Sequence, residues 1–300
     1  MNERQISEIL REYEKRRHFA ELKRTADYEN AMTFPEFSAL QKNYNGLVVK
    51  PPEADVEAEI AEIRKKQAAV LKKLKIDDFF ETQYLCARCK DTGYENGKLC
   101  LCVKKRLSDD RKNGAVPTDA VFENCDLSLF DADIRPRMAK VYSIAKKYVE
   151  TFPPKNKPNI FITGGTGTGK TYLTACIFNA LTKKDVFAEY LTAFGLGGLF
   201  LKSHLAPVSE KTAVLDPLFS ADLLIVDDLG TEPIYNNITC EYLFGLINER
   251  TVNAKPTVIS TNLSPADILS RYGERIFSRV CNKNNATLLD LPGKDLRLKK

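Results

Sequence analysis

The stretch Gly164-Gly165-Thr166-Gly167-Thr168-Gly169-Lys170-Thr171 limits what this chain can fold into more than any other. It fits the phosphate-binding pattern G-x-x-x-x-G-K-[ST] at every fixed position. Ahead of it, Asn159, Ile160, Phe161, Ile162 and Thr163 form an apolar run that reads as a buried strand. Behind it, Tyr172, Leu173, Cys176, Ile177 and Leu181 recur at helical spacing. Strand, glycine loop and helix in that order are the context in which such a loop binds phosphate. Gly164, Gly167 and Gly169 accept backbone angles that bulkier residues resist, so loop N–H groups can turn inward onto phosphate oxygens. The positive end of the following helix adds to the attraction. Lys170 supplies a mobile cation for the outer phosphates, and the Thr171 hydroxyl can ligate Mg2+. The alternative is a glycine-rich turn that matches by chance, and it leaves the agreement of strand, loop and helix unexplained.

Composition sets the remaining bounds. The 300 residues suffice for one large domain or a core domain with appendages. Charged residues make up 28% and hydrophobic ones 43%, ordinary values for a soluble protein. No apolar run reaches membrane-spanning length, so no membrane association is expected. The charged start, Met1 to Arg17, lacks the apolar core of a signal peptide, so the expected location is the cytoplasm. A net charge of +5 is mild and by itself says little about nucleic acid. Eight cysteines in that compartment point to thiols or metal ligands rather than disulfides. Cys125, Cys176, Cys240 and Cys281 are scattered and read as small buried hydrophobes.

Along the chain, Met1 to about Tyr28 reads as a helix, with Ile6, Ile9, Leu10 and Tyr13 as its apolar stripe. Met32 to Pro52 is interrupted by Pro35, Asn45-Gly46 and Pro51-Pro52 and reads as connector. From Ala54 to Ile76 the residues Val56, Ile60, Ile63, Gln67, Val70 and Leu74 alternate in steps of four and three. That spacing gives a coiled-coil seam with one polar position. Either two amphipathic helices pack on each other within the chain, or the seam docks a partner. Cys86-Ala87-Arg88-Cys89 and Cys100-Leu101-Cys102 then flank a hairpin-like segment with Gly93 and Asn96-Gly97. Two cysteine pairs around a reversing chain are the sequence form of a closed four-thiolate Zn2+ site, although the final C-x-C is tighter than usual. The metal would be structural and would supply much of the module's folding energy. A redox pair is the alternative. Lys104, Lys105, Arg106, Arg111 and Lys112 follow, as a phosphate-contacting run or as a solvated helix face. Gly114 and Pro117 mark a linker.

Beyond Pro117, Met138, Val141, Tyr142, Ala145 and Tyr148 form a helix leading into the loop strand. Further strands are expected at Val186–Leu191, Ala221–Val226, Thr257–Ser260 and Thr287–Leu291. Helices are expected at Thr239–Val252 and, as one or two short pieces, at Pro265–Val280. The glycine-rich Phe194–Leu205 is a helix or a mobile insert, and His204 within it reads as a surface histidine. Alternating strands and helices predict an α/β fold with a mostly parallel sheet covered on both faces. Leu223-Leu224-Ile225-Val226-Asp227-Asp228 ends in two carboxylates at the sheet edge where ligands of such folds bind. Asp227 is the candidate for holding Mg2+, and Asp228 for orienting and deprotonating an attacking water. A plain turn is the alternative. Asn262, at the next strand end, can contact the γ-phosphate or that water, or it can cap the helix that Ser264-Pro265 begins.

These motifs together resemble the AAA+ ATPases, with the phosphate loop as Walker A, Asp227-Asp228 as Walker B and Asn262 as sensor 1. Phe122-Glu123-Asn124-Cys125, Asp227-Asp228-Leu229-Gly230-Thr231-Glu232, Ile247-Asn248-Glu249-Arg250 and Gly273-Glu274-Arg275-Ile276-Phe277-Ser278-Arg279 narrow the resemblance. They look like the bacterial and phage replicative helicase loaders of the DnaC/DnaI type, whose core is IstB-like. The cysteine module is similar to the zinc-binding N-terminal domain of DnaI-like loaders. The resemblance runs from about Tyr84 to the C-terminus. It implies that Arg279 acts as an arginine finger toward a neighbouring subunit's nucleotide, with Arg275 beside it. It also implies that Arg297, in Gly293-Lys294-Asp295-Leu296-Arg297, is the sensor 2 phosphate contact. Asp295 departs from the family there, where Ser or Thr is usual, and Asp228 stands where AAA+ enzymes generally carry Glu.

The expected organisation is therefore a helical partner-binding region over 1–80, a four-Cys zinc module over 81–113 and an AAA+ ATPase domain over 114–300. The expected cofactors are ATP, Mg2+ and a structural Zn2+ held by Cys86, Cys89, Cys100 and Cys102. The expected partners are the replicative DNA helicase, single-stranded DNA and further copies of the chain. Lys202, Lys183 and Phe194 are candidates for the DNA contact. Two other functions compete: a transposition regulator of the IstB type, expected to lack the four-Cys module, and a nucleotide-gated adaptor with little turnover.

Overall fold

Short runs of aliphatic residues, buried on both sides, form the sheet that positions everything else. The computed structural model describes residues 3–112, 116–184, 186–208 and 210–298, without the side chains of 3, 4, 109–112 and 212. Two units are distinct, one of Ser7–Cys102 and one of the chain from Val103 on together with the residues up to Ile6. The sequence reading divides the chain at 113/114 and, within its first part, at 80/81.

In the N-terminal unit, helices α1 (Glu3–Met32), α2 (Pro35–Val48) and α3 (Ala54–Leu74) precede a two-residue hairpin of β1 (Tyr94–Glu95) and β2 (Lys98–Leu99). Helix α2 corrects the expectation of a connector over Met32–Pro52. Pro35 sits in the first turn, where its missing N–H costs nothing. Asn45-Gly46 lies inside the last turns, and Phe37, Gln41 and Leu47 give the helix a buried face. The later part of the α3 seam, Gln67, Val70 and Leu74, is covered there, while Val56, Ile60 and Ile63 are half-buried. Phe37, Val70, Leu71 and Phe79 share one core with Ala31. The polar seam position is satisfied there too: the buried Gln67 amide donates to Gln41 Oε1 at 2.8 Å, and Gln41 donates to Asn45 Oδ1 at 2.8 Å. Two helices of one chain therefore pack on each other where a partner-docking seam was the alternative. Asn96 (φ 51°) and Gly97 (φ 74°) turn the hairpin, both in the left-handed region that a two-residue turn requires.

The second unit begins in α4 (Leu101–Lys112) and continues through α5 (Arg135–Glu150), β3 (Asn159–Gly164), α6 (Lys170–Thr182), β4 (Ala188–Thr192) and α7 (Ala193–Leu205). Then follow α8 (Lys211–Ser220), β5 (Leu223–Leu229), α9 (Thr239–Val252), β6 (Thr257–Thr261), α10 (Pro265–Val280) and β7 (Ala286–Leu291). Among the described residues five strands make one parallel sheet in the order β4-β5-β6-β3-β7. Side chains alternate between its faces. Ile160, Ile162, Ile225 and Val258 point into a core shared with α5 and α6. Phe161, Leu224, Val226 and Ile259 point into one shared with α7, α9 and α10. Burial on both faces explains why these strands read as continuous apolar runs. The α/β class and the parallel sheet expected from the sequence are what the structure shows.

The glycine-rich Ala193–Leu205 is a helix, capped by the Thr192 hydroxyl on the Gly195 N–H. Helix α8 has no counterpart in the sequence reading, and Pro217 inside it is the reason its pattern does not read as helical. Helix α10 is two helical pieces joined across a kink at Gly273 (φ 78°), the two-piece version of that expectation. Helix α4 carries the basic run. Its Lys105 donates to the Thr182 carbonyl at 3.0 Å, Ser108 to the Ala188 carbonyl at 3.1 Å, and Lys104 lies 5.5 Å from the Phe187 ring centre. Two cations of that run thus serve packing in this unit, while Arg106 is exposed. The side chains of Arg111 and Lys112, and Gly114, lie outside the described residues.

Arg250 is the largest fully buried side chain here, 1% exposed. Its guanidinium donates to Thr257 Oγ1 at 3.0 Å and to the carbonyls of Leu218 (2.6 Å), Ala221 (3.0 Å) and Pro256 (2.6 Å). Burial pushes its pKa down to about 10, and the carbonyls hold the charged form in place. One side chain thereby ties the end of α8 and the lead-ins to β5 and β6. Arg250→Ala removes this donor from the Leu218 and Ala221 carbonyls and should destabilise this unit by about 3–5 kcal/mol, measured by chemical denaturation.

Candidate functional site

The phosphate loop connects β3 to α6 and carries its glycines where the backbone needs them. Gly167 (φ 73°) and Gly169 (φ 92°) are left-handed. The Thr168 hydroxyl donates to the Gly165 carbonyl at 3.0 Å, which closes the turn. Lys170 folds back onto the loop: its Nζ donates to the carbonyls of Gly164 (3.0 Å) and Gly165 (2.7 Å). Desolvation lowers its pKa, while the charges of Asp228 and Asp227 work the other way.

Sheet order brings the acidic pair to this loop. Strand β6 lies between β3 and β5, so the ends of all three meet at one edge. Asp227 is 3% exposed. Its carboxylate accepts from Thr171 Oγ1 at 2.8 Å, from Thr174 Oγ1 at 3.3 Å and from the Ser260 hydroxyl. Asp228 is different. It has φ 57°, an uncommon conformation for a residue with a side chain, where β5 bulges against β6. Its N–H donates to Ser260 Oγ at 2.9 Å. Desolvation raises its pKa first and the charge of Asp227 second, against the lowering effect of Lys170 and Arg297.

A cavity of about 440 Å³ opens at this edge. Of the residues expected there, Thr166, Gly167, Gly169, Lys170, Thr171, Asp228, Asn262 and Arg297 line it. Gly164, Gly165 and Thr168 build the loop behind it, and Asp227 supports Thr171 from below. Asn262 is not the cap of the next helix. Ser264 is, in a reciprocal capping box with Asp267. Arg275 and Arg279 do not line the cavity. They lie on the second half of α10, over the Phe244 ring at 5.9 and 4.7 Å, and Arg279 Nε donates to Asn248 Oδ1 at 2.8 Å. His204 is exposed against Tyr242, with Nδ1 3.4 Å from its hydroxyl.

Several contributors are not evident from the sequence. Ser260 joins both aspartates, yet it lies over thirty residues away and is legible only once β5 and β6 are known to be neighbours. Thr231 and Leu296 line the cavity. Glu232, 4% exposed, accepts from the Gly230 N–H at 2.9 Å and from the Tyr272 hydroxyl, and pairs with Arg271 at 3.7 Å. It ties the loop after Asp228 to the first half of α10.

In the other unit, the four cysteines converge. Cys86, Cys89, Cys100 and Cys102 place their Sγ atoms within 4.8 Å of one another, with Cys86–Cys100 at 3.9 Å and Cys89–Cys102 at 3.6 Å. Sulfurs around a tetrahedral zinc, each about 2.3 Å from it, lie roughly 3.8 Å apart, so the set fits one Zn2+. A redox pair would leave two of the thiols unexplained. The Lys90 N–H donates to the Cys86 carbonyl and the Cys100 N–H to the Gly93 carbonyl, each at 2.8 Å. The buried Asp91 carboxylate accepts from the N–H groups of Leu85 and Cys86 at 2.9 Å. These bonds orient the thiols without help from the metal.

Residues 100–280 match the family model described as IstB-like ATP binding protein. The chain is 28% identical over 216 residues to the uncharacterized protein YqaM of Bacillus subtilis, covering 68% of this chain and 67% of that protein. It is 24% identical over 181 residues to the replicative helicase loader DnaI of Bacillus subtilis, covering 57% of this chain and 55% of that one. The chain thus spans about two thirds of the first relative and about half of the second. Among solved structures it resembles the DnaC helicase loader, with a TM-score of 0.45 and 27% identity over 52% of this chain and 90% of that one. It also resembles DnaI, with a TM-score of 0.46 and 23% identity over 60% and 92%.

The thiol cluster makes a direct prediction. Purified protein should carry about one zinc per chain by elemental analysis, and Cys89→Ser should lose it. Asp91→Ala, which removes the acceptor that orients Cys86, should weaken zinc binding by about tenfold or more in a chelator competition.

Proposed function

The chain belongs to the family of IstB-like ATP binding proteins, and on that premise we propose that it is an ATPase that loads a replicative DNA helicase onto single-stranded DNA. The observation that carries the ATPase half is the joined set of Lys170, Thr171, Asp227 and Asp228 at the mouth of one open cavity. The loader half is supported by the relationship to DnaI and by a four-thiol module in the same chain. The proposed location is the cytoplasm.

In this reading the loop N–H groups and Lys170 hold the β- and γ-phosphates, and Lys170 must leave the Gly164 and Gly165 carbonyls to do so. Thr171 Oγ1 and the Asp227 carboxylate, already 2.8 Å apart, would hold Mg2+. The ion, when bound, neutralises charge on the phosphate oxygens. Asp228 takes a proton from the attacking water on its carboxylate, and Asn262 orients that water or the γ-phosphate. Its left-handed backbone aims Asp228 into the cavity, away from the buried direction taken by Asp227. Arg279, which does not line its own chain's cavity, supplies its guanidinium to a neighbouring copy, with Arg275 beside it. ATP then reports assembly, and hydrolysis ends the engagement. Arg297 contacts phosphate from the C-terminal segment. The exposed Phe194 and Lys202 on α7 are the candidates for stacking on and pairing with single-stranded DNA.

The match to the IstB-like family keeps a second reading open, a transposition ATPase. The four-thiol module argues against it. Retention of the host replicative helicase in a pull-down, lost on zinc chelation, supports the loader. Its absence under both conditions sinks it.

Lys170→Ala should abolish nucleotide binding in a fluorescent-nucleotide titration. Arg279→Ala should keep binding and lose turnover by about 10³-fold or more. Mixing the two should restore part of the activity, because the Lys170→Ala copies still lend an arginine. Equal turnover in Arg279→Ala and wild type would remove Arg279 from the mechanism. The pH profile carries a further expectation. Asp228 acts as a base only when charged, and its pKa lies above the usual carboxylate value. The acid limb of kcat should therefore fall above pH ~4. The nucleotide-free protein should show the reverse in stability. A group with a raised folded pKa contributes fully below its unfolded value, and the contribution is lost as pH rises through the folded one. Asp228→Asn should remove that slope in denaturation measurements across this window.

A further inference from the structure

The C-terminal segment after β7 lies on the phosphate loop and brings a carboxylate with it. Gly293 (φ 129°) turns the chain, and Leu296 N–H donates to the Gly167 carbonyl at 3.0 Å. Asp295 sits so close to Gly167 that a methyl group on that glycine would overlap its carboxylate. An anion is thus laid against a loop built to attract anions. Among the described residues, its charge is paired with Arg297. Nε donates to Asp295 Oδ1 at 2.9 Å, Nη2 to Oδ2 at 2.7 Å, and the Arg297 N–H to Oδ1 at 3.0 Å. This is a forked, two-bond pairing, and it uses the edge of the guanidinium that would chelate a phosphate. Arg297 nevertheless lines the cavity and is 68% exposed, so the pair stands where a ligand's phosphates would arrive.

We propose that Asp295 is an internal competitor for Arg297. It holds the arginine and covers the loop while the cavity lacks a nucleotide, and it must yield both when a triphosphate enters. The inference rests on the reading of this cavity as the nucleotide site. One edge of a guanidinium cannot fork onto a carboxylate and a phosphate together, so binding opens the Asp295–Arg297 pair. The released carboxylate then faces a strongly anionic ligand across a short distance and is repelled from the loop. Because the same segment is bonded to Gly167 through Leu296, occupancy of the cavity is transmitted to the chain's last residues. Asp295 thereby sets how tightly a phosphorylated ligand is held, and makes that affinity depend on the ligand's charge.

The test is a titration of the full chain with a fluorescent non-hydrolysable ATP analogue and, in parallel, with adenosine. Wild type, Asp295→Asn, Asp295→Ser, Arg297→Ala and the double variant Asp295→Asn/Arg297→Ala are compared, each checked for an unchanged thermal transition. Asp295→Asn should bind the triphosphate about fivefold more tightly than wild type, a gain that shrinks as salt is raised. Asp295→Ser should behave alike. In the Arg297→Ala background the same substitution should give a smaller gain, because no pair remains to be opened. Adenosine, which carries no phosphate, should bind wild type and Asp295→Asn equally. Unchanged or weaker triphosphate binding by both Asp295 variants would overturn the competitor role alone, with nucleotide binding by the wild type intact. Failure of the wild type to bind the triphosphate, or equal binding by Lys170→Ala, would overturn the nucleotide reading and this inference with it.

Discussion

The carboxylate of Asp227 is the contact on which the cavity-bearing edge of the sheet depends. It is buried, and it accepts hydrogen bonds from the first turn of α6 through Thr171 and Thr174 and from β6 through Ser260. Three separate elements therefore meet on one charged group. A buried carboxylate without donors would cost several kcal/mol, so each donor is held as firmly as it holds. Ser260 also receives the Asp228 N–H, which sets the backbone of the second aspartate while its own hydroxyl faces the first. One strand thus presents two adjacent carboxylates in unlike surroundings. Asp227 is buried with every donor in place, and Asp228 is half-buried and raised in pKa. Unlike environments for two neighbouring acids are what separate a ligand from a base.

Much of this is written in local sequence, because the forces involved are local. The phosphate loop needs glycine where φ is positive, and Gly167 and Gly169 stand there. The apolar runs of β3, β5 and β6 are legible because both faces of the sheet are covered, so successive residues such as Ile160-Phe161-Ile162 and Leu223-Leu224-Ile225-Val226 are apolar on both sides. What is not legible is anything that depends on which strands are neighbours. Nothing in the order of residues says that Ser260 lies under Asp227 and Asp228, or that Leu296 reaches Gly167. Those contacts follow from strand order and from the course of the C-terminal segment, both of which are decided by the whole domain. Helix α8 was hidden for the opposite reason: a strong local signal, Pro217, argued against what packing of Leu215 and Leu218 imposes.

The N-terminal unit shows the same division. The spacing of α3 is plain in the sequence, and so is the hairpin turn at Asn96-Gly97. The identity of what covers α3 is not, because α2 carries Pro35 and Asn45-Gly46, which look like breakers. At the first turn a proline removes a donor that has no acceptor anyway, so the signal is real but its meaning depends on position. The buried Gln41–Gln67 pair adds specificity to that packing. Gln41 also donates to Asn45 within α2 and Gln67 also accepts from Arg64 within α3, so a one-turn slip would cost the cross-helix bond between the two amides.

Glu232 supplies the last link between the nucleotide edge and the arginine-bearing helix. Its carboxylate takes the Gly230 N–H on one side and meets Tyr272 and Arg271 on the other. The first half of α10 is therefore tied to the loop that follows Asp228. The kink at Gly273 comes one residue after Tyr272, and Arg275 and Arg279 lie beyond it, resting on Phe244 and Asn248 of α9. The helix thus has one half fixed to the sheet edge and another half carried by a neighbouring helix. The two halves also share the apolar core beneath them, where Ile268, Ile276 and Val280 pack with Val226 and Leu229 of β5. The helix is therefore coupled to the loop after Asp228 both by that core and by the polar contacts of Glu232 with Tyr272 and Arg271.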